Sequence, residues 1–533
     1  MSLRTANTTN LAIPGTQPNR RSLSGQTQPV VRPYERPADW VAIGTSTATQ
    51  YVQLLVPVWD VASNYIAFTT TGATTIDWGD GTAPENVASN TQANHNYSYA
   101  NVSNLSSRGY RQAVITITPQ AGQNITAFSI NKRNTAMGSI TYATPILDMT
   151  LKVPNIVTTG NLVIGSSSLL VNLGLLEQVT ILSHGLTNMN NMFNNCTGLK
   201  SVPLFDTAAV TEMILMFQNC FKLPTVPLFN TANVTTMSNM FVNCHNLLSV
   251  PLFNTSKVTD MTSFVNGCRL LLTVPLFDTS RVTNMSYMFQ NCTSLITVPA
   301  FNTTSALLTT GIMFNNCASL QSVPLFNTSG VTDMQSMFAG CASLTTVPLF
   351  NTSRVTNMIS MFQNCTSLIS VPTFNTSTAT NMQTMFGSCP SLQFVPTFDT
   401  SRVTTMASMF ASCFSLQTIT LTTTTSLVNF GNVFTSNNSI KQMLGANGPF
   451  NISSVNNINN TFTTCPGLNR CQITGTNLTV SFANCSLGAT ELNEIFYGLS
   501  LTGAGKTITI TNNPGAATCT RSIATTKGWT VSG

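Results

Sequence analysis

Residues 337–360 read MFAGCASLTTVPLFNTSRVTNMIS, and the same 24-residue pattern recurs before and after them. The cysteine marks it best. Cys196, Cys220, Cys244, Cys268, Cys292, Cys317, Cys341, Cys365, Cys389 and Cys413 are each 24 residues apart, except for one step of 25 between Cys292 and Cys317. Asn437 takes the next position, and Cys465 and Cys485 follow at altered spacing. The shared pattern is M-F-x-N-C-x-x-L-x-x-V-P-L-F-N-T-S-x-V-T-x-M-x-x. A period in the twenties is the mark of stacked coils. Each copy carries about seven apolar side chains, more than a single coil can hide from water, so neighbouring copies must cover one another. At about 4.8 Å per coil, some thirteen coils predict a rod on the order of 60 Å long. The β-rich segment L-x-x-V-P-L-F reads as the strand of each coil and N-T-S as the turn after it, where Asn side chains satisfy local backbone groups. The M-x-x-M-F stretch reads as a short helical or 3₁₀ turn on the opposite face. The recurrent proline cannot donate to a ladder, which places it at the end of a very short strand.

Composition narrows what such a stack does. Charged residues are only 7% of the 533 residues, where about 25% is usual, so the polar surface is made of Thr, Ser and Asn. The net charge of +6 is thinly spread, with its densest pair at Arg20 and Arg21. Binding by counterion release needs many phosphate contacts, and nucleic acid is not expected as a partner. No run of 18 apolar residues is present, so no membrane-spanning helix is expected. The start, Met1 to Gly25, is polar and interrupted by Pro14 and Pro18; without an apolar core it does not read as a secretory signal.

The repeat resembles the BspA-type leucine-rich repeat of bacterial and mycoplasma surface proteins and of phage virion proteins, over roughly residues 180–488. That resemblance implies a curved solenoid with a parallel sheet on one face, used for adhesion, and a core-facing cysteine that Asn437 replaces in kind. The amino-terminal part is similar to a PKD-type β-sandwich, through Ile76-Asp77-Trp78-Gly79-Asp80-Gly81-Thr82, His95-Asn96-Tyr97 and Gly109-Tyr110. The alternation of Ala113-Val114-Ile115-Thr116-Ile117 reads as a strand in its own right, and Asp80-Gly81 as a hairpin turn. The segments from Arg36 to Thr82 and from Gly503 to Gly533 resemble the ends of phage virion repeat proteins. The fold expected is therefore mainly β with short helical turns, an amino-terminal PKD-like sandwich followed by a leucine-rich-repeat solenoid of 24-residue coils. Its parts would be an extended anchoring arm (1–37), the sandwich (38–124), irregular opening coils (125–180), the solenoid (181–488) and a carboxy-terminal cap (489–533). Within that cap Ala489 to Leu501 reads as a helix.

Candidate sites are few. The cysteine column reads as buried thiols: stacked parallel side chains hold Cβ atoms beyond the usual disulfide limit of about 4.5 Å, and no His or carboxylate recurs beside them to complete a metal site. His95, His184 and His245 lack a recurrent Ser or Asp partner, and the sixteen acidic residues are scattered. Asp206, Asp278 and Asp399 replace Asn in the turn. Asp77, Asp80 and Glu85 offer three carboxylates where Ca²⁺ wants six or more oxygens, and the hairpin alone accounts for them. Sequons such as Asn254-Thr255-Ser256 read as turns. A basic stripe, Lys257, Arg281, Arg354 and Arg402, with Asp260 and Asp333 nearby, reads as a solvated face with weak ion pairs, the sharper alternative being a ladder facing an acidic glycan. No cofactor, metal or catalytic residue is expected.

These readings point to a non-enzymatic phage virion structural protein, made in the host cytoplasm: a fibre, spike or capsid-decorating adhesin. It would contact other virion proteins through residues 1–37, a host-surface glycan or protein through the solenoid, and its own copies as a homo-oligomer. The alternative is a cellular surface adhesin; a polysaccharide depolymerase is a remote third.

Overall fold

The computed structural model describes residues 34–61, 64–130, 142–143, 145–158, 162–165, 171–422, 426–463 and 465–533; residues 1–33 of the expected arm lie outside these. In chain order the first part forms β1 (Tyr51–Val58), β2 (Tyr65–Thr71), β3 (Thr74–Asp77), β4 (Glu85–Val87), β5 (Gln92–Asn96), β6 (Asn104–Leu105), β7 (Arg111–Pro119), β8 (Ala127–Ser129), β9 (Tyr142–Ala143), β10 (Asp148–Val153), β11 (Leu162–Val163), β12 (Val171–Asn172) and β13 (Gln178–His184). One sheet runs β13-β10-β1-β7-β3-β4, with β6 on β7; a second runs β11-β8-β2-β5. Phe68 of β2 packs on Trp78 beyond β3 at 5.6 Å and on Phe128 of β8 at 5.9 Å, closing the core between the two sheets. Every residue of β1 is buried, because β7 and β10 flank it and the chain from Tyr34 covers its outer side. There Leu55 meets Trp40, Tyr110 and Leu147, and the Trp40 indole donates to the Tyr110 hydroxyl at 2.9 Å. Arg36, inside the expected arm, pairs with Asp148 at 2.6 Å, so the end of that arm is part of the sandwich.

Both sheets change direction at the same border. β10 is antiparallel to β1 but parallel to β13; β8 is antiparallel to β2 but parallel to β11. Parallel neighbours need a long return of the chain, as stacked coils supply. The sandwich thus covers the open edge of the stack, as terminal repeats require. Within 125–180, expected as irregular opening coils, β8, β10 and β11 belong to the sandwich sheets, while β9 and β12 pair in a separate two-stranded sheet.

Through the regular coils most of the parallel ladder is not where β-propensity puts it; within the expected segment the only isolated bridges among the described residues are Gln178 to Ser201, Ser370 to Phe394 and Phe398 to Leu421. Single bridges join the x position of V-T-x-M from coil to coil: Glu212 to Thr236, Asp260, Asn284, Thr309, Asp333, Asn357, Asn381, Thr405, Asn429 and Asn457. The expected strand L-x-x-V-P-L-F is instead bent. Its proline has no N–H, and the following Phe N–H turns back to the proline carbonyl, as from Phe229 to Pro227 at 2.9 Å, Phe253 to Pro251 at 2.8 Å and Phe350 to Pro348 at 2.9 Å. This two-residue closure is a γ-turn. It drives the Phe inward and throws the intervening Leu out to solvent.

The M-x-x-M-F stretch is not helical either. Alternate amides cross to the next coil (Asn239 to Thr262 at 2.8 Å, Phe241 to Phe264 at 2.9 Å, Asn243 to Asn266 at 2.7 Å), and those between close turns within the coil, such as Met240 to Met237 at 3.2 Å. Two residues per coil, four apart, take the left-handed conformation: Asn239 and Asn243, for example, have φ of 58° and 59°. Asn suits that region; a branched side chain does not. Ile312 nevertheless stands there with φ 62°. Ile312→Asn should therefore stabilise the protein by about 1 kcal/mol, read as a higher urea midpoint; an unchanged or lower midpoint would remove the strain assigned to Ile312.

Side chains reinforce the stacking. The threonine of N-T-S is buried and donates across: Thr207 to the Asn230 carbonyl, Thr231 to Asn254 and Thr255 to Asp278, at 2.8–2.9 Å. Asparagines before the cysteines form an amide ladder, Asn243 to Asn219 at 2.9 Å and Asn219 to Asn195 at 2.7 Å. Towards the carboxy end regular strands return: β14 (Thr418–Leu421), β15 (Gln442–Gly445), β16 (Phe450–Asn451), β17 (Arg470–Cys471), β18 (Ile473–Thr474) and β19 (Val480–Ser481). The helix α1 (Ala489–Gly498) buries Leu492, Ile495 and Phe496. It does not end the stack. β20 (Thr507–Thr509) lies parallel on β19, and β21 (Thr530–Ser532) on β20, so the expected cap adds coils of its own. Among the described residues no helix is long and apolar enough to cross a membrane.

Candidate binding surfaces

The ten cysteines of the column are fully buried and unpaired. From Cys220 to Cys413 the stacking gives each thiol a carbonyl partner that the sequence does not reveal. Cys220 donates to the Phe193 carbonyl at 3.2 Å, Cys244 to Phe217 at 3.1 Å, Cys341 to Phe314 at 3.1 Å and Cys413 to Phe386 at 3.0 Å. The carbonyl of the Phe in M-F already accepts from the cysteine N–H of its own coil, as Phe217 from Cys220 at 3.1 Å, and the thiol of the next coil is its second donor. Asn437 reaches the Phe410 carbonyl at 3.5 Å with its amide nitrogen, but its Oδ1 is buried without a partner. Burial pushes the thiols up, to about 12 for Cys292 and Cys389; they are poor nucleophiles.

The carboxylates and imidazoles are engaged locally. Asp80 accepts from Thr82 and meets His95 at 2.9 Å; burial works against its charge, but these bonds hold its carboxyl below the usual range. Glu85 accepts from the Trp78 indole at 3.1 Å, and Asp77 from the Gly79 amide at 2.9 Å. The three thus serve the β3–β4 turn. Among the described residues no three His, Cys, Asp or Glu side chains gather as metal ligands. His184 sits between the Asp206 carbonyl at 2.7 Å and the Leu186 amide at 3.0 Å, and burial lowers its pKa.

Lys257, Arg281, Arg354 and Arg402 are all exposed, as expected of a solvated face. The expected ion pairs with Asp260 and Asp333 do not form: Lys257 donates to Asn233 of the preceding coil at 2.8 Å, while Asp260 accepts from Thr262 and Asp333 from the Gln335 amide at 2.9 Å. The carboxylates serve their own turns, out of the lysine's and arginines' use.

Two features of the surface lie outside the sequence reading. The first is a groove of about 290 Å³ lined by Thr345, Ser367, Ile369, Ser391, Gln393 and Ser415. These are the residues on either side of the buried Leu344, Leu368, Leu392 and Leu416. Inter-coil bonds such as Ile369 to Thr345 at 3.0 Å and Gln393 to Ile369 at 2.9 Å fix its floor. Two aromatic side chains belong to its coils: Phe394 is 68% exposed and Phe414 48%. Comparing coils is the signal that would have found it, since Phe394 replaces a Ser or Thr found at this position in the preceding coils. The second is a column of outward leucines, described below, whose amino-terminal end borders a cleft of about 560 Å³ lined by Leu182, Leu204 and Leu228 among others.

The stacking, the buried columns and the bonds between coils define a mainly β repeat protein. The chain belongs to the family described as "Mycoplasma protein of unknown function, DUF285", which matches residues 183–273, 221–322, 245–345, 308–418 and 391–479, together more than half of its length. Similar solved structures include a leucine-rich repeat protein of T. pallidum, at 19% identity over 36% of this chain and 76% of that one with a TM-score of 0.23. Another is a leucine-rich repeat protein from Eubacterium ventriosum, at 13% identity over 56% of this chain and 90% of that one with a TM-score of 0.33. No curated protein matches the chain.

Proposed function

We propose that the chain is a non-enzymatic attachment protein, a leucine-rich-repeat solenoid of BspA type that presents an uncharged groove to glycans on a cell surface. The groove at Ser367, Ser391 and Gln393, together with the exposed Phe394 and Phe414, next in sequence to the lining residues Gln393 and Ser415, carries this reading. Hydroxyl and amide groups match sugar hydroxyls, and an aromatic face matches the apolar face of a pyranose. A rigid array also gains from multivalency, because each further contact is effectively intramolecular. The rest of the surface supports a binding role: His95 and His184, Asp80 and Asp260 are all committed to structural hydrogen bonds, leaving them poorly placed for acid–base chemistry.

The setting proposed is a phage virion, with the protein as fibre, spike or decoration, residues 1–37 contacting other virion proteins and a PKD-like sandwich as spacer. It rests on the resemblance of the terminal segments and of the W-G-D-G-T turn. The family's description, which names Mycoplasma, favours the second reading, a cellular adhesin; detecting the polypeptide in purified particles or in cell envelopes decides between them. For the groove, the full chain is offered to an array of bacterial surface glycans. Phe394→Ala combined with Gln393→Ala should weaken the bound glycan roughly tenfold or more, about 1.4 kcal/mol per factor of ten. Equal binding by the variant, or no glycan bound by the natural chain, would refute the reading.

A further inference from the structure

We infer that Leu204, Leu228, Leu252, Leu276, Leu325 and Leu349 form the interface through which two copies of this chain pair. Each is the third residue of V-P-L-F and each is 57–65% exposed, whereas the Phe beside it is buried. The γ-turn at the proline holds Leu outward and Phe inward in coil after coil, as at Phe229, Phe253, Phe277 and Phe350, so these leucines are displayed on a fixed backbone. They line up at one per coil over about 30 Å, interrupted only by Ala300. In the next two coils the position becomes Thr373 and Thr397, which ends the apolar column while the Phe column behind it continues through Phe374 and Phe398.

The area and the spacing point to a second copy as the occupant. Six leucines at this exposure leave on the order of 500 Å² of contiguous apolar surface, near the top of the 300–600 Å² that the largest patch of a soluble monomer shows. With the bordering amides of Asn230, Asn254, Asn327 and Asn351 it approaches the roughly 800 Å² per partner of a stable interface. A surface that repeats at the coil spacing is matched, coil for coil, by another surface of the same spacing, and a copy of this chain supplies one. A two-fold pairing uses the same patch on both partners. In either direction along the stack, a pairing that engages the whole column sets Leu276, at its middle, against its own copy.

The test uses the full chain in sedimentation equilibrium. The natural chain should be a dimer at micromolar concentration. Leu228→Ser, Leu252→Ser and Leu276→Ser together should raise the dimer dissociation constant roughly 100-fold or more without altering the circular dichroism. As a second measurement, Leu276→Cys in a Cys519→Ser background should cross-link to itself under mild oxidation, and Thr356→Cys on a different column should not. A monomeric natural chain, a triple variant that pairs as well as the natural chain, or a Leu276→Cys variant that stays uncrosslinked would each overturn the inference. The glycan reading uses other residues, so its failure shows on the array and not in sedimentation.

Discussion

Between about pH 9 and 10 the stack is expected to unfold in a transition steeper than any single titration. Thirteen of the fourteen cysteines are buried and unpaired. Burial pushes their thiols up, to about 12 for Cys292, Cys389, Cys465 and Cys485, and Cys220, Cys268, Cys317, Cys365 and Cys413 also lie well above the ordinary thiol. An unfolded thiol titrates near 8.5. Below that pH both states hold their protons and stability is at its full value. Above it the unfolded chain releases protons that the folded chain retains, so stability falls with rising pH until the folded thiols themselves titrate. Each thiol that unfolds then costs about 1.4 kcal/mol per pH unit. Five coils unfolding together would lose about 7 kcal/mol per unit, against the 5–15 kcal/mol that usually holds a domain folded. Circular dichroism followed together with thiolate absorbance should show both changes in one narrow step. Thiols that titrate near pH 8.5 while the dichroism stays native would contradict the buried column.

The cysteine spacing makes the repeat legible because one buried position per coil tolerates little but Cys or Asn. What the thiol does there is not legible: its partner is a main-chain carbonyl in the preceding coil, and nothing in the side-chain pattern points to it. The ladder's position is hidden for a related reason. Val, Leu and Phe have strand propensity, but propensity reports half-buried packing more than backbone pairing. The bridges form at polar positions such as Thr236, Asp260 and Asn284, whose side chains accept from the amide two residues on and so read as turns in the sequence. The left-handed residues show themselves where Asn stands, as at Asn239 and Asn243, and hide where Leu215, Tyr287, Ile312 or Thr384 occupies the site. The outward leucines were within reach of comparison between coils. Ala300, Thr373 and Thr397 replace them, while the neighbouring Phe never varies in the regular coils. The hairpin of β3 and β4 and the strand β7 followed directly from Asp80-Gly81 and the period-two alternation. The shared strands β8 and β10 did not, since pairing on two sides leaves no signature in a three- or six-residue segment.

Phe338→Ala is expected to cost about 3–5 kcal/mol and to split unfolding into two phases. The Phe338 ring lies between Phe314 at 5.5 Å and Phe362 at 5.6 Å, nearly parallel to both, and is fully buried. The coils cannot close the vacancy by moving together. Their separation is set by main-chain bonds on both sides, Phe314 to Met337 at 2.8 Å and Phe338 to Met361 at 2.9 Å, so the cavity persists and the loss is large. Because each coil touches only its neighbours, stability is a sum of coil and interface contributions. Weakening one interface therefore uncouples the stack at that place rather than lowering it evenly. Urea unfolding should show a second transition, and hydrogen exchange should quicken around residues 314–362 while the sandwich stays protected. Leu308→Ala, a truncation of an exposed side chain, should change stability by less than about 0.5 kcal/mol. Should Phe338→Ala melt in one transition at the natural midpoint, or Leu308→Ala cost as much, the ring column would not be what couples the coils.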